Sequence, residues 1–227
     1  MRRTLAAAAA WVDEVGLALL FPKADVVLPS LWEQVAGTTD VQWPSPEMSF
    51  VWSAKDDLPA RGLVCVGRHL ARSVACVAPR LVPVLVAANG APTEESAVAA
   101  AVDAHGPLTA PQLRELTGLA KKQVERELAA LHHRLVLTSS HLVEQDRSWS
   151  ALSHELLARK WNVPAQLPER TAARRELALL VLEHAGELTA ADLAGALGWR
   201  RKEAAGILDE VAAGRDDGAG FRIWTRR

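Results

Sequence analysis

The chain has no tyrosine and only two cysteines, Cys65 and Cys76. Two thiols cannot build a disulfide framework, and they lack the paired spacing of a zinc site, so both read as plain cytosolic thiols. No apolar run reaches the roughly 18–20 residues that a membrane-spanning helix needs. The most apolar candidate, Leu81 to Ala91, is too short and follows Arg80. The opening Met1-Arg2-Arg3 and the alanines behind it imitate a secretory leader for a few residues. Trp11, Asp13 and Glu14 then break the pattern, with no convincing cleavage site. The expectation is a cytoplasmic protein with no membrane partner. A strong net charge is also missing, since the total is −1. Residues 1–109 hold 8 Lys and Arg against 11 Asp and Glu, whereas residues 110–227 hold 18 against 16. That balance does not announce a nucleic-acid partner, but phosphates are contacted by the docking face alone, so a local stripe suffices. No Gly-rich phosphate loop and no His-Glu-x-x-His segment occurs. His132 and His133 are adjacent, and neighbours on a helix point about 100° apart, which is poor geometry for chelation. No cofactor and no metal are therefore expected, and a small-molecule effector is neither supported nor excluded.

What the chain does have is apolar residues, at 49%, and an internal repeat. Gly106-Pro-Leu-Thr-Ala-Pro-Gln-Leu113 falls on Gly186-Glu-Leu-Thr-Ala-Ala-Asp-Leu193 without a gap, and the register continues through Gly118 on Gly198, Lys122 on Lys202 and Leu128 on Leu208. Each part of the frame has a physical meaning. Ala97 to His105 and Leu177 to Ala185 are helix-forming and stop at a glycine, the favoured residue just past a helix end. Thr109 and Thr189 can cap a new short helix. Leu113 and Leu116 give that helix a buried face, as Leu193, Ala196 and Leu197 do in the second copy. Gly118 and Gly198 sit where a tight turn is required. A longer helix follows, with Val124, Leu128 and Leu131 at spacings of four and three, matched by Ala204, Leu208 and Val211. Helix, short helix, glycine turn, long helix is the helix-turn-helix pattern. Each copy then offers a wing. Leu135 to Thr138 reads as a strand, Gln145-Asp146-Arg147 as a polar tip, and Trp149 lies on the return. In the second copy Asp216-Asp217-Gly218 is a turn before a strand over Phe221 to Thr225.

The start of each long helix is basic. Lys121, Lys122, Gln123 and Arg126 mark the first, and Arg200, Arg201 and Lys202 the second, with Arg222 on the last strand. These residue types reach phosphates and guanine edges from the N-terminal end of a recognition helix. The plain alternative is that they only solvate an exposed face, and such folds also serve as protein-interaction modules.

The first ninety residues are less regular. Thr4 to Glu14 reads as a helix, Gly16 to Phe21 as an apolar run ending at Pro22, and Pro29 to Val35 as a short helix with proline in its first turn. Thr38 to Pro46 reads as a loop. Leu63 to Val66 and Ser73 to Ala78 read as a hairpin joined by Gly67 to Arg72, with Cys65 and Cys76 as near neighbours across it. A helix follows Pro79, and Asn89-Gly90-Ala91-Pro92 is the best linker. Trp52, Lys55, Asp56 and Asp57 form a compact group, read as a packed tryptophan beside a polar turn. The sharper reading makes Trp52 and Lys55 a nucleic-acid contact, by stacking and by charge. The expected architecture is mainly α with small β-hairpins, divided into an N-terminal α+β region over 1–92, a first winged helix over 93–168 and a second over 169–227.

Several stretches together resemble the AlkZ-like winged-helix DNA glycosylases, and more closely a shorter group of AlkZ-related proteins. They are Val15 to Phe21 leading to Leu28-Pro-Ser-Leu-Trp32, Trp52-Ser-Ala-Lys-Asp-Asp-Leu-Pro59, the hairpin with the helix at Pro83, and Gly106 to Leu116. The resemblance implies tandem winged helices on double-stranded DNA, and excision of alkylated or cross-linked bases. The glycosylases carry a Gln-x-Gln or Gln-x-Asp pair after a Leu-Gly-Leu segment, and here Leu19 and Phe21 occupy those two positions. Neither side chain can orient water or stabilise a sugar cation. Glu14, close by, could serve as a carboxylate. Three expectations follow: a DNA-binding relative without chemistry, an active glycosylase, or a winged-helix scaffold or regulator that binds protein.

Overall fold

The computed structural model describes residues 3–90, 95–145, 148–216 and 222–225. The first set of elements is α1 (Leu5–Val15), β1 (Leu17–Leu19), α2 (Leu31–Ala36), α3 (Pro46–Ala60), β2 (Cys65–Leu70) and β3 (Ser73–Val77), followed by a single 3-10 turn and α4 (Val82–Asn89). The second set is α5 (Ala97–His105), β4 (Leu108–Thr109), α6 (Ala110–Thr117), α7 (Lys121–His133), β5 (Leu137–Gln145), β6 (Ser148–Leu156) and the short α8 (Leu157–Lys160). The third is α9 (Arg170–Ala185), β7 (Glu187–Thr189), α10 (Ala190–Leu197), α11 (Arg201–Val211), β8 (Ala213–Asp216) and β9 (Arg222–Thr225). The architecture is mainly α with small antiparallel three-stranded sheets, as expected. No helix among the described residues is long and apolar enough to cross a membrane.

All three sets share one topology. Each runs helix, strand, helix, helix, strand, strand, and each sheet places its first strand beside its third: β1-β3-β2, β4-β6-β5 and β7-β9-β8. The sequence repeat covers the last two sets; the first set is a third copy that keeps the helix-ending glycine, Gly16 at φ 75°, but not the Leu-Thr that follows it in the others.

The caps explain why the second and third copies are visible in the sequence. Thr109 accepts from the Gln112 backbone while the Gln112 side chain accepts from the Thr109 backbone, a reciprocal capping box. Thr189 and Asp192 repeat it. Such caps stabilise a helix by about 1 kcal/mol. Gly118 and Gly198 adopt φ of 69° and 74°, the left-handed conformation that a helix-ending turn demands. Val124, Leu128 and Leu131 are buried, as are Ala204 and Leu208. Leu116 departs from expectation, since it is 50% exposed. Its counterpart Ala196 is buried because α10 packs toward α4, where Asn89 Nδ2 donates to the Leu197 carbonyl at 2.9 Å.

The N-terminal set corrects several expectations. Residues 46–60 are one helix, not a polar turn: Ser45 caps it, Pro46 opens it, and Met48, Val51, Ala54 and Leu58 bury one face. Pro29 lies outside α2, whose cap is Ser30 in a capping box with Glu33. Gly67 to Leu70 belongs to β2, and the hairpin connection is only Ala71-Arg72. Cys65 pairs with Val77 and Cys76 with Val66, so the two thiols lie one register apart and alternate to opposite faces of the sheet. Cys65 packs with Leu17, Leu19 and Val77, whereas Cys76 packs with Ala18, Leu20 and Val66. Both faces of this sheet are therefore covered, by α1 to α3 on one side and by α4 and α9 on the other. A doubly covered strand is apolar throughout, which hides β1 inside the run Gly16 to Phe21.

The third set docks through the end of α4. Arg170 Nη2 donates to the Gly90 carbonyl at 2.9 Å, Arg174 Nε donates to the Ala88 carbonyl at 3.2 Å, and the Trp199 indole N–H donates to Asn89 Oδ1. The two arginines satisfy backbone carbonyls at the helix end, and the indole pairs with the Asn89 side chain. The second copy's turn at Asp217-Gly218, the tip residues Asp146 and Arg147, and Phe221 lie outside the described residues.

Candidate nucleic-acid interface

The first and second sets pack reciprocally: α3 lies on β5 and α7 lies on β2. Between them is a cavity of about 600 Å³. This lies within the roughly 300–1,000 Å³ of small-ligand sites. Phe21, Leu128, Ala129 and Leu152 supply much of the apolar wall, and Trp52, Lys55, Asp56, Arg68 and Glu125 the polar rim. Trp52 is 52% exposed, with the Lys55 ammonium 4.6 Å from its ring centroid. Lys55 also pairs with Asp56 Oδ2, while Asp56 Oδ1 is buried without a hydrogen-bond partner.

Three histidines run inward from the cavity wall: His132 and His154 line the cavity, and His69 is buried against His132. His69 Nδ1 donates to the His132 carbonyl at 2.8 Å, the two rings stack with centroids 5.6 Å apart, and His132 Nε2 lies 3.0 Å from His154 Nδ1. Burial holds His69 and His154 down to about 4 and His132 well below the ordinary histidine value, so all three are neutral near pH 7. His132 Nδ1 is the second buried atom here without a partner. The tautomer with the proton on His132 Nε2 leaves Nδ1 as a bare acceptor. The other would leave a buried N–H unpaired, which proteins tolerate less. Cys65 Sγ lies 3.6 Å from His69 Nε2, but burial pushes its thiol up to about 12, so it is a packed group and not a nucleophile.

The residues singled out from the sequence fall in different places. Leu19 is fully buried in the core, whereas Phe21 lines the cavity, its ring 6.2 Å from that of Trp32. Glu14 is exposed and is not among the cavity-lining residues. Trp52 and Lys55 meet at the rim. Lys121, Lys122, Gln123 and Arg126 are exposed at the start of α7. The Gln123 side chain accepts from the Ala120 N–H at 3.0 Å, so its amide serves the helix start. Lys121 lies 3.9 Å from Glu125, an exposed pair of small energetic weight. Arg200, Arg201 and Lys202 are exposed at the start of α11. Arg222 is exposed, 3.1 Å from Asp209 and 5.3 Å from the Trp224 ring centre. His132 faces the cavity, and His133 lines a separate groove beside Gly198 and Arg200. Among the described residues no group of three or more His, Cys, Asp or Glu is placed to hold a metal ion.

Sequence reasoning passes over Asp56 as a site residue and misses Arg68, His69 and His154. Arg68 and His69 lie on β2 and His154 on β6, so only the packing of the first set on the second brings them together.

A family model described as AlkZ related matches residues 3–198. No curated protein and no solved structure matches the chain.

Proposed function

The chain belongs to the AlkZ-related family, which makes it a relative of DNA-repair glycosylases, and we propose that it binds duplex DNA through tandem winged helices without the family's catalytic pair. The repeat over 93–168 and 169–227 supplies two such units, and the matching topology of 1–92 supplies a third. One observation carries the reading. Lys121 and Lys122 on α7 and Arg201 and Lys202 on α11 are exposed at equivalent positions of the same helix, with Arg126 and Arg200 exposed beside them. Cations at that end of such a helix neutralise phosphates and reach base edges. Leu19 in the core and Phe21 on an apolar wall cannot do the work of the glutamine pair, which supports binding without excision.

The test is anisotropy of a labelled duplex with alanine at Lys121, Lys122, Arg200, Arg201 and Lys202. Every phosphate left without its cation lowers the salt slope by about 1. Unchanged affinity in the fivefold variant would overturn the docking face.

Excision has one observation in its favour: the Asp56 carboxylate lines the same cavity as Phe21. Under that reading, alkylated duplex gives alkali-labile sites that Asp56→Asn abolishes. Clean strands with both proteins would discard it.

A further inference from the structure

A groove of about 360 Å³ lies beside the β2-β3 hairpin. Its charged lining is Lys23, Arg68 and Arg72, with no carboxylate among the lining residues, and Leu20, Phe21 and Val74 supply apolar wall. Arg68 and Arg72 are exposed, and among the described residues neither has a hydrogen-bond or ion-pair partner. Arg80, Arg159, Arg174 and Arg175, by contrast, each pair with a carboxylate. The whole chain carries a charge of −1, so three cations around one acid-free groove are a local departure from it. A cleft lined by one sign concentrates its field on an anion. Lys23 and Arg72 also line the adjoining groove, which holds Asp25 and His133.

The hairpin holds these cations together. Ala71 and Arg72 form its two-residue turn at φ of 49° and 53°, a conformation that such residues rarely adopt. Lys23 Nζ donates to the Ala71 carbonyl at 2.6 Å, which ties the lysine to the turn and leaves its ammonium two further donors. The three sets of elements also distribute their cations differently. The long helices of the second and third sets open on exposed cations, Lys121 and Lys122 on α7 and Arg201 and Lys202 on α11. The matching helix of the first set, α3, opens on Pro46 and Glu47, and Glu47 pairs with Arg3. The first set carries its clustered cations on and beside its hairpin instead.

We propose that Lys23, Arg68 and Arg72 form a phosphate site, which takes a backbone phosphodiester of a bound DNA strand. A guanidinium fork matches two phosphate oxygens, and the lysine adds a point charge. Leu20, Phe21 and Val74 give the adjoining sugar an apolar surface. The proposal rests on the DNA-binding reading for the source of the phosphate. It adds a contact that the α7 and α11 cations do not make, and the first set docks by its hairpin, not by its long helix.

The test uses the full chain. Arg68→Gln with Arg72→Gln changes two exposed side chains and leaves the bond from Lys23 to the turn in place. A labelled duplex is titrated over a range of salt, and the glutamine pair should bind it with a salt slope shallower by about 1. Arg68→Lys with Arg72→Lys keeps the charge and should restore the slope. A full slope in the glutamine pair, or a slope that stays shallow in the lysine pair, would overturn the proposal and leave docking by α7 and α11 intact. In parallel, the Nε–H resonances of the two arginines, identified as those absent from the glutamine pair, are followed by NMR on adding duplex or inorganic phosphate. Shifts with the duplex support a strand phosphate in the groove. Shifts with inorganic phosphate alone would overturn the strand as the source and leave a site for a free anion. No shift with either would overturn the site itself. Absence of any duplex complex with the unaltered protein would overturn the DNA-binding reading, and inorganic phosphate would then decide the site on its own.

Discussion

His132 Nε2 lies 3.0 Å from His154 Nδ1, and the two rings meet edge to face with centroids 5.1 Å apart. With His69 they form a neutral chain through the joint between the first and second sets of elements. Burial keeps His69 and His154 at about 4 in the folded protein, whereas histidines in the unfolded chain titrate near 6.5. Between these values the unfolded chain binds protons that the folded chain refuses. Stability is therefore complete above pH 6.5, falls as the pH drops toward 4, and levels off for these two groups below it. Each contributes up to roughly 3 kcal/mol. Thermal melts should show a clearly lower Tm at pH 5 than at pH 7.5. An equal Tm at both would mean that the histidines titrate normally and that the joint is open to water.

Gly67 makes room for this chain. A Cβ at that position would lie 2.4 Å from His69 Nε2 and 2.7 Å from His132 Nδ1. Gly67→Ala is expected to cost roughly 1–3 kcal/mol, because His69 is buried and its ring is held by the stacked His132 and the bond to the His132 carbonyl. Urea unfolding reads the change as a lower midpoint at unchanged slope. A shift too small to measure would show that the rings can move aside.

Fold legibility follows the same divide between local and assembled features. Thr109, Gly118 and their partners Thr189 and Gly198 are local signals, readable from a few neighbouring residues, and they locate the helices and turns of the second half closely. The third copy at the N-terminus escapes because its loops are long and its strands are buried on both sides. The run from Gly16 to Phe21 shows no alternation for that reason. In α3, Asp56 and Pro59 interrupt a buried face that is otherwise helically spaced. The cavity is illegible in principle: Phe21, Asp56, Arg68, His132 and His154 come from five elements or connections and meet only through the packing of α3 on β5 and α7 on β2.

The Ala71-Arg72 turn trades stability for a placed cation. Both residues have positive φ in a two-residue hairpin, a geometry suited to Asn-Gly. Ala71 is buried, so an asparagine there would bury an amide and bring no gain. Arg72 is exposed, and Arg72→Gly should stabilise the protein by about 0.5–1 kcal/mol because glycine adopts positive φ freely. Chemical denaturation checks the gain. A destabilising Arg72→Gly would show that the arginine is held by packing instead.

Asn89 fastens the third set of elements, accepting from Trp199 and donating to the Leu197 carbonyl. Asn89→Ala removes both bonds and leaves the indole N–H without that partner. The expected loss is roughly 1–3 kcal/mol by calorimetry, and a Tm equal to that of the unaltered protein would contradict it.

Duplex binding is tested most directly by titrating a plain labelled duplex with the unaltered protein over a range of salt concentrations. Docking through exposed lysines and arginines predicts a complex at low salt whose log affinity falls linearly with log salt, at about −0.9 for each phosphate neutralised. No complex at low salt, or one indifferent to salt, would contradict it and favour a protein-binding role for the same helices.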